Sequence, residues 1–270
     1  MKNTKKVFWI IGLIIAIVII GVIMASYYLN KTKEVKNPIV TMEVEGFGTM
    51  KFELYPEVAP ENVSNFIALA NKGFYNGLQF TRIVKDFMIQ GGDKNNDGTG
   101  TVAISNMREL QKEETDRAYS VKGEFLANGV DNLVKFDEGV LGAARNDFTQ
   151  HSSGLTEQSY NSASSQFFIM TEKNYSLNGQ YTAFGKITEG LEILQKLETV
   201  EVAASSIDEN TGKPAEGAEI SKPVTPVVIE KISVDTFGID YGTPEPLIPF
   251  DYMTWLYKQY GLDPSMFGGQ

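Results

Sequence analysis

The chain has 270 residues, 42% of them apolar and 21% charged, with no cysteine, a single histidine and a formal net charge of −10. That length and apolar share suit one sizeable core with small appendages, and the composition excludes disulfides, thiolate catalysis, cysteine-bound zinc and any multi-histidine metal site. Six of the 24 basic residues (Lys2, Lys5, Lys6, Lys31, Lys33 and Lys36) precede residue 37, against one acid, Glu34, so the acidic excess falls on the remainder, which should repel nucleic acid and stay dispersed in water.

The chain opens with "VFWIIGLIIAIVIIGVIMASYYL", Val7 to Leu29, a run without a charge that is long enough to cross a hydrocarbon core with some tilt. Trp9 near one end and Tyr27 and Tyr28 at the other suit interfacial anchoring. The rival reading is a cleaved signal peptide, whose apolar stretch would run only about 7–15 residues. Ile23-Met24-Ala25 is a poor cleavage site, and no lipobox cysteine exists. The expectation is an uncleaved anchor through residues 7–29, single-pass in the cell membrane, with the acidic body outside the cytoplasm. Lys31, Lys33 and Lys36 nearly balance the N-terminal lysines, so orientation rests on the shortness of the N-terminal tail. Residues 1–36 are then tail, anchor and linker, 37–236 the principal domain, and 237–270 a C-terminal extension.

In the body, "TMEVEGFGTMKFELY" (41–55) predicts a β-hairpin around Gly-Phe-Gly, and "APENVSNFIALANKG" (59–73) a helix with Pro60 in its first turn and Gly73 as its stop. Residues 78–91 predict two strands about a Lys85-Asp86 turn. Residues 103–118 are weakly periodic, with a short helix the best assignment. Strands are expected at 138–145 and 164–170, separated by a polar loop in which His151 has no expected role, and again at 181–187. A helix follows at 189–200, a loop at 203–226 and a closing strand at 226–235. Many strands with two or three helices make a mainly β protein, a closed antiparallel barrel with helices at its ends. Beyond it, Tyr252, Trp255, Leu256 and Tyr260 have helical spacing; packing on the barrel is favoured over a partner-binding or membrane-surface helix.

The chemistry-bearing stretch is "FTRIVKDFMIQGG" (80–92), which sets Arg82 and Gln90 among apolar residues. Strand alternation places Met88 with Gln90 on one face, and Gln166 with Phe168 and Met170 on another. Together these offer an apolar groove bearing two amides and a guanidinium, suited to an extended apolar segment whose backbone must also be held. It has no evident nucleophile or acid–base pair. Taken singly, the same residues are compatible with a solvated edge arginine, core aromatics, and glutamines that satisfy backbone groups. "DKNNDG" (93–98) resembles the start of a calcium loop, but its twelfth position is Ile104 where a bidentate glutamate belongs; an ordinary polar turn is favoured, and no metal is assigned.

"FTRIVKDFMIQGGD" is similar to the cyclophilin signature. "APENVSNFIALANKGFYNG", "KGEF" (122–125), "SSQFFIM" (164–170) and "LNGQYTAFGKITEG" (177–190) resemble further cyclophilin blocks in the family's order, from about Ile39 to Val234. The resemblance implies a cyclophilin-like eight-stranded antiparallel barrel capped by two helices. It also implies peptidyl-prolyl cis-trans isomerase activity without a cofactor, on proline-containing segments of unfolded or exported proteins. It gives Arg82 the role of donor to the prolyl nitrogen and Gln90 that of holding the substrate backbone. Phe87, Met88, Phe168 and Leu177 would form the proline pocket, and Ala144, the backbone of Arg145, and Gln166 the neighbouring groove. The chain departs from the family at Thr81 (usually histidine), Arg145 (often asparagine), Ser176 or Tyr175 (often tryptophan) and Tyr181 (usually histidine, and kept here among the substrate-contacting residues). These changes put the rate and binding of cyclosporin-type inhibitors in question. The alternative function is a chaperone or scaffold that grips proline segments with little catalysis.

Overall fold

The computed structural model describes residues 2–31, 36–208 and 211–263. The chain divides into two compact units, 1–36 and 37–270. In the first, helix α1 (Lys2–Lys31) contains the window Val7–Ala25, 19 residues of mean hydropathy 3.2 with none of it buried. It is long and apolar enough to cross a membrane. The side chains of Tyr27 and Tyr28, expected as anchors, and Lys33 of the linker lie outside the described residues, as does the end of the extension, 264–270.

In the second unit the chain pairs first with itself. Strands β1 (Ile39–Val44) and β2 (Gly48–Leu54) alternate so that Val40, Met42, Met50, Phe52 and Leu54 are buried. Helix α2 (Pro60–Asn71) follows, and its N-cap, Ala59, has no side chain to accept the free N–H groups of the first turn. The buried Glu124 does so from a distance: its carboxylate accepts from Glu61 N and Asn62 N, both at 2.9 Å. Strands β3 (Gln79–Val84), β4 (Met88–Gly91), β5 (Val140–Ala143), β6 (Phe167–Met170) and β7 (Ala183–Glu189) come next, with the short helix α3 (Thr156–Tyr160) between β5 and β6. Helix α4 (Leu191–Leu197), the ribbon β8 (Val202–Ala204) and β9 (Ile220–Pro223), and β10 (Val227–Asp235) complete the domain. Eight of these strands close into an antiparallel barrel in the order β1-β10-β3-β4-β6-β5-β7-β2.

Barrel closure leaves no edges to protect. Its inside holds Met42, Phe52, Phe80, Ile83, Ile89, Phe167, Ile169 and Ile229. Phe66 of α2 and Ile193, Leu194 and Leu197 of α4 complete that core, so two helices cap it. The other face of β4 and β6 contributes Met88, Phe168 and Met170 to a second cluster with Phe136 and Val140. Both faces of "FFIM" are thus buried, which is why it reads as a continuous apolar run.

Three expectations change. Residues 103–118 form no helix beyond one 3-10 turn at Ile104–Asn106; Arg108 instead bonds across the loop to both oxygens of Glu114 at 2.7 and 2.8 Å, and an Ala103–Ala118 bridge closes it. Residues 203–226 are not merely a loop, since they carry the β8–β9 ribbon. The C-terminal helix α5 (Tyr252–Gln259) packs on the 148–151 loop: Tyr252 stacks on Phe148 at 5.9 Å and lies tilted against His151 at 4.6 Å, which gives that histidine a packing role where none was expected. Tyr260 stays exposed.

Candidate active site

A bulge explains the arginine in an apolar run. Strands β3 and β4 pair Phe80 with Gly91 and then Arg82 with Gln90, leaving Thr81 as the extra residue. Phe80 and Ile83 therefore both face the core, three positions apart, while Arg82 is turned outward beside Gln90. Bulges commonly re-aim a side chain in this way. Asp86, at φ +55, makes the turn that delivers Phe87 and Met88 to the same face.

Across the sheet, Phe168 stands opposite Gln90 on β4 and opposite Gly142 on β5. Its ring lies over Gly142, so closely that a Cβ there would meet it at 2.4 Å. Phe136 stacks on the ring at 5.6 Å between centroids, and Tyr181 meets it edge-on at 5.9 Å. Arg82, Phe87, Met88, Gln90, Ala144, Arg145, Phe168, Leu177 and Tyr181 line one cavity of about 210 Å³. Gln166, the remaining residue expected here, lies in an adjoining cavity of about 450 Å³ that shares Gln90, Ala144 and Arg145.

The polar groups of the cleft are held in a chain. Gln90 Nε2 donates to Gln166 Oε1 at 2.9 Å, and Gln166 Nε2 donates to Asp93 Oδ1 at 3.2 Å. Gln90 is thereby left with its carbonyl oxygen, Oε1, as an acceptor. Asp93 is fully buried, and its carboxylate also accepts backbone N–H bonds from Asp97, Gly98 and Gly100 at 2.9, 3.0 and 2.7 Å. A calcium loop would need those oxygens turned toward the ion; here they tie the 93–100 loop to the site.

The guanidinium of Arg82 sits 6.0 Å from the centre of the Phe87 ring, with Nη1 3.6 Å from Met88 Sδ. Arginine stays charged even beside apolar groups. Its other edge meets a residue that the sequence reading did not single out: Nε and Nη2 donate to the two oxygens of Glu219, at 2.6 and 2.8 Å. These bonds from Arg82 hold the Glu219 carboxyl below its ordinary range, against a smaller opposing effect of burial.

Two departures from the cyclophilin pattern, Arg145 and Tyr181, lie against one another. Arg145 places its guanidinium 4.4 Å from the Tyr181 ring centre, and 5.3 and 5.8 Å from those of Tyr160 and Phe125, while Nε donates to Gln180 O at 3.2 Å. The side chain is thus packed in an aromatic cage. Tyr175, a candidate for the missing pocket tryptophan, bonds to Asp137 at 2.8 Å, and Ser176 bonds to Asn174; neither lines the 210 Å³ cavity. The wall of the larger cavity includes Pro249 and Phe250 of the extension. Leu247 pairs with Ser120 through two backbone bonds, and Phe250 packs on Phe148 at 5.1 Å, which fixes that wall.

Comparison with known proteins agrees with the fold. The family model described as "Cyclophilin type peptidyl-prolyl cis-trans isomerase/CLD" matches residues 39–234. Peptidyl-prolyl cis-trans isomerase B of Bacillus subtilis (strain 168) is 35% identical over 159 residues, 59% of this chain and 90% of that protein. Peptidyl-prolyl cis-trans isomerase-like 2 of Gibberella zeae is 31% identical over 180 residues, 66% of this chain but only 26% of that much longer protein. Among solved structures, a Cryptosporidium parvum cyclophilin type peptidyl-prolyl cis-trans isomerase, determined in the presence of the dipeptide Ala-Pro, is similar with a TM-score of 0.53 and 27% identity, covering 73% of this chain and 98% of that one. The chain belongs to the cyclophilin-type peptidyl-prolyl cis-trans isomerases.

Proposed function

We propose that Arg82 is the catalytic donor and that the 210 Å³ cavity receives the proline ring. Rotation about a peptide bond must break amide resonance, against a barrier of about 18–20 kcal/mol. In the twisted transition state the prolyl nitrogen becomes pyramidal and gains a lone pair. A donor aimed at that nitrogen binds the transition state better than the planar ground state, and only such differential binding speeds the step. Nη1 of Arg82 is the donor on the cleft side, next to Met88 Sδ. Gln90 Oε1 accepts a backbone N–H of the substrate. Phe87, Met88, Phe168 and Leu177 hold the ring, Tyr181 closes the rim, and Ala144, the Arg145 backbone and Gln166 line the path of the preceding residues.

One observation carries this reading: the guanidinium and the aromatic pocket open on the same cavity. The Ala-Pro dipeptide used with the Cryptosporidium parvum relative supports proline-containing segments as the substrate class. The test is isomerisation of an Ala-Pro peptide by the parent chain and by Arg82→Ala. Lost turnover with peptide binding retained supports catalysis. Binding without acceleration in the parent chain supports the alternative, a proline-gripping chaperone.

We also propose a physiological setting, from α1. A helix with the span Val7–Ala25, set before an acidic body, supports a foldase tethered at the outer face of a membrane and acting on exported proteins. Protease shaving of intact cells tests this, since a body that survives shaving but is cleaved after lysis lies inside. In that reading residues 1–36 anchor, 37–236 catalyse, and 237–270 complete the cleft.

A further inference from the structure

We infer that Glu219 is a positioning residue for the isomerisation: it occupies the Nε–Nη2 edge of Arg82 and so presents Nη1 to the prolyl cleft. This rests on the catalytic reading of Arg82 given above. A guanidinium has five donors on three nitrogens and a long flexible stem, and nothing in that stem selects which edge meets the substrate. Here the two-point contact does so. Both Glu219 oxygens are engaged, at 2.6 and 2.8 Å, and the nitrogen left over is the one beside Met88 Sδ.

Glu219 is itself held. It precedes β9, which pairs with β8, and its carbonyl accepts from Ser205 N at 2.7 Å. The carboxylate arrives from a ribbon outside the barrel, onto a strand of the barrel wall. The partners' side chains are 35% and 40% exposed, so solvent screening limits what the pair adds to folding, while its two-point geometry gives it directional specificity. That specificity sets the aim of the guanidinium, with Nη1 left for the cleft. A cavity of about 280 Å³ lies on this side of Arg82, and the other charged groups lining it are Asp97 and Lys222. Ser221 also bonds to the Glu219 carboxylate.

The test uses the full chain in detergent and an Ala-Pro peptide. Glu219→Ala is expected to lower kcat about tenfold, with KM changed less than about twofold. Glu219→Gln, which keeps the shape and one acceptor, is expected to fall between. The parent kcat should also fall as pH drops through the Glu219 pKa, which lies below the ordinary carboxylate range. The pair exists only while Glu219 is ionised, that is, above that pKa, and the acid limb should vanish in Glu219→Gln. Circular dichroism at each pH separates this limb from unfolding. Parental or raised kcat in Glu219→Ala overturns the inference, and so does an acid limb that persists in Glu219→Gln. Arg82→Ala, measured beside them, separates the two readings. Activity that survives Arg82→Ala removes the catalytic reading itself, whereas activity lost there but intact in Glu219→Ala removes only the role of Glu219.

Discussion

Gly142→Ala tests the packing of the proposed proline pocket through a single methyl group. Gly142 is not among the glycines with positive φ, so alanine meets no backbone penalty there. At such a position the exchange would ordinarily stabilise by about 0.4–1 kcal/mol, by restricting the unfolded chain. The neighbour reverses the sign. The new Cβ would lie 2.4 Å from Phe168 Cζ and 2.8 Å from Cε1 and Cε2. Carbon contacts are optimal at about 3.5–4.0 Å, so the ring must withdraw by roughly 1 Å. Phe136 and Tyr181 crowd it, and the space left is the 210 Å³ cavity itself. Overpacking of this kind costs about 1–3 kcal/mol. A displacement of about 1 Å at a reacting site can cost on the order of 10²-fold in rate. Thermal melting and isomerisation of an Ala-Pro peptide read the two effects. Adding Phe168→Leu removes the ring tip and should restore stability but not turnover. A Gly142→Ala variant that melts at or above the parent temperature with unchanged kcat/KM refutes the account.

Three further outcomes follow from other contacts. Glu124→Ala removes the acceptor for the first N–H groups of α2 and should cost about 1–3 kcal/mol, read by chemical denaturation; stability equal to the parent's would contradict it. Arg145→Ala empties the cage of Tyr181, Tyr160 and Phe125 and should destabilise by about 0.5–2 kcal/mol, with a salt dependence weaker than that of an ion pair. Phe250→Ala opens the wall of the 450 Å³ cavity. It should raise KM about fivefold, near 1 kcal/mol, for peptides with a bulky residue before proline; identical KM values across a peptide series would show that the extension does not touch substrate.

The barrel was legible because its signals are local. Val40, Met42 and Met50, Phe52, Leu54 alternate at period two, and Pro60 and Gly73 bracket a helix by fixed chemistry. The cleft was legible because Arg82, Phe87, Met88, Gln90, Gln166 and Phe168 stand in blocks that resemble a known family. Glu219 was not, because it lies 137 residues from Arg82, just before a ribbon whose strands of three and four residues are too short to announce themselves. The Thr81 bulge left only a faint trace, the three-residue spacing of Phe80 and Ile83. The helical spacing of Tyr252 and Trp255 identified α5, but nothing in one sequence pairs Tyr252 with Phe148 and His151. At 103–118 weak periodicity suggested a helix, yet Arg108 and Glu114 found each other across a turn.

Strand β6 serves as a partition, with Phe167 and Ile169 on the barrel side and Phe168 and Met170 on the cleft side. Sliding it by one position would swap the two sets, and since all four are greasy, water exclusion alone scarcely forbids the exchange. The absent side chain at Gly142 counts against it, because the Phe168 ring lies across β5 where a Cβ would meet it at 2.4 Å. The notch that shapes the cleft thus also favours a single register for the strand beside it.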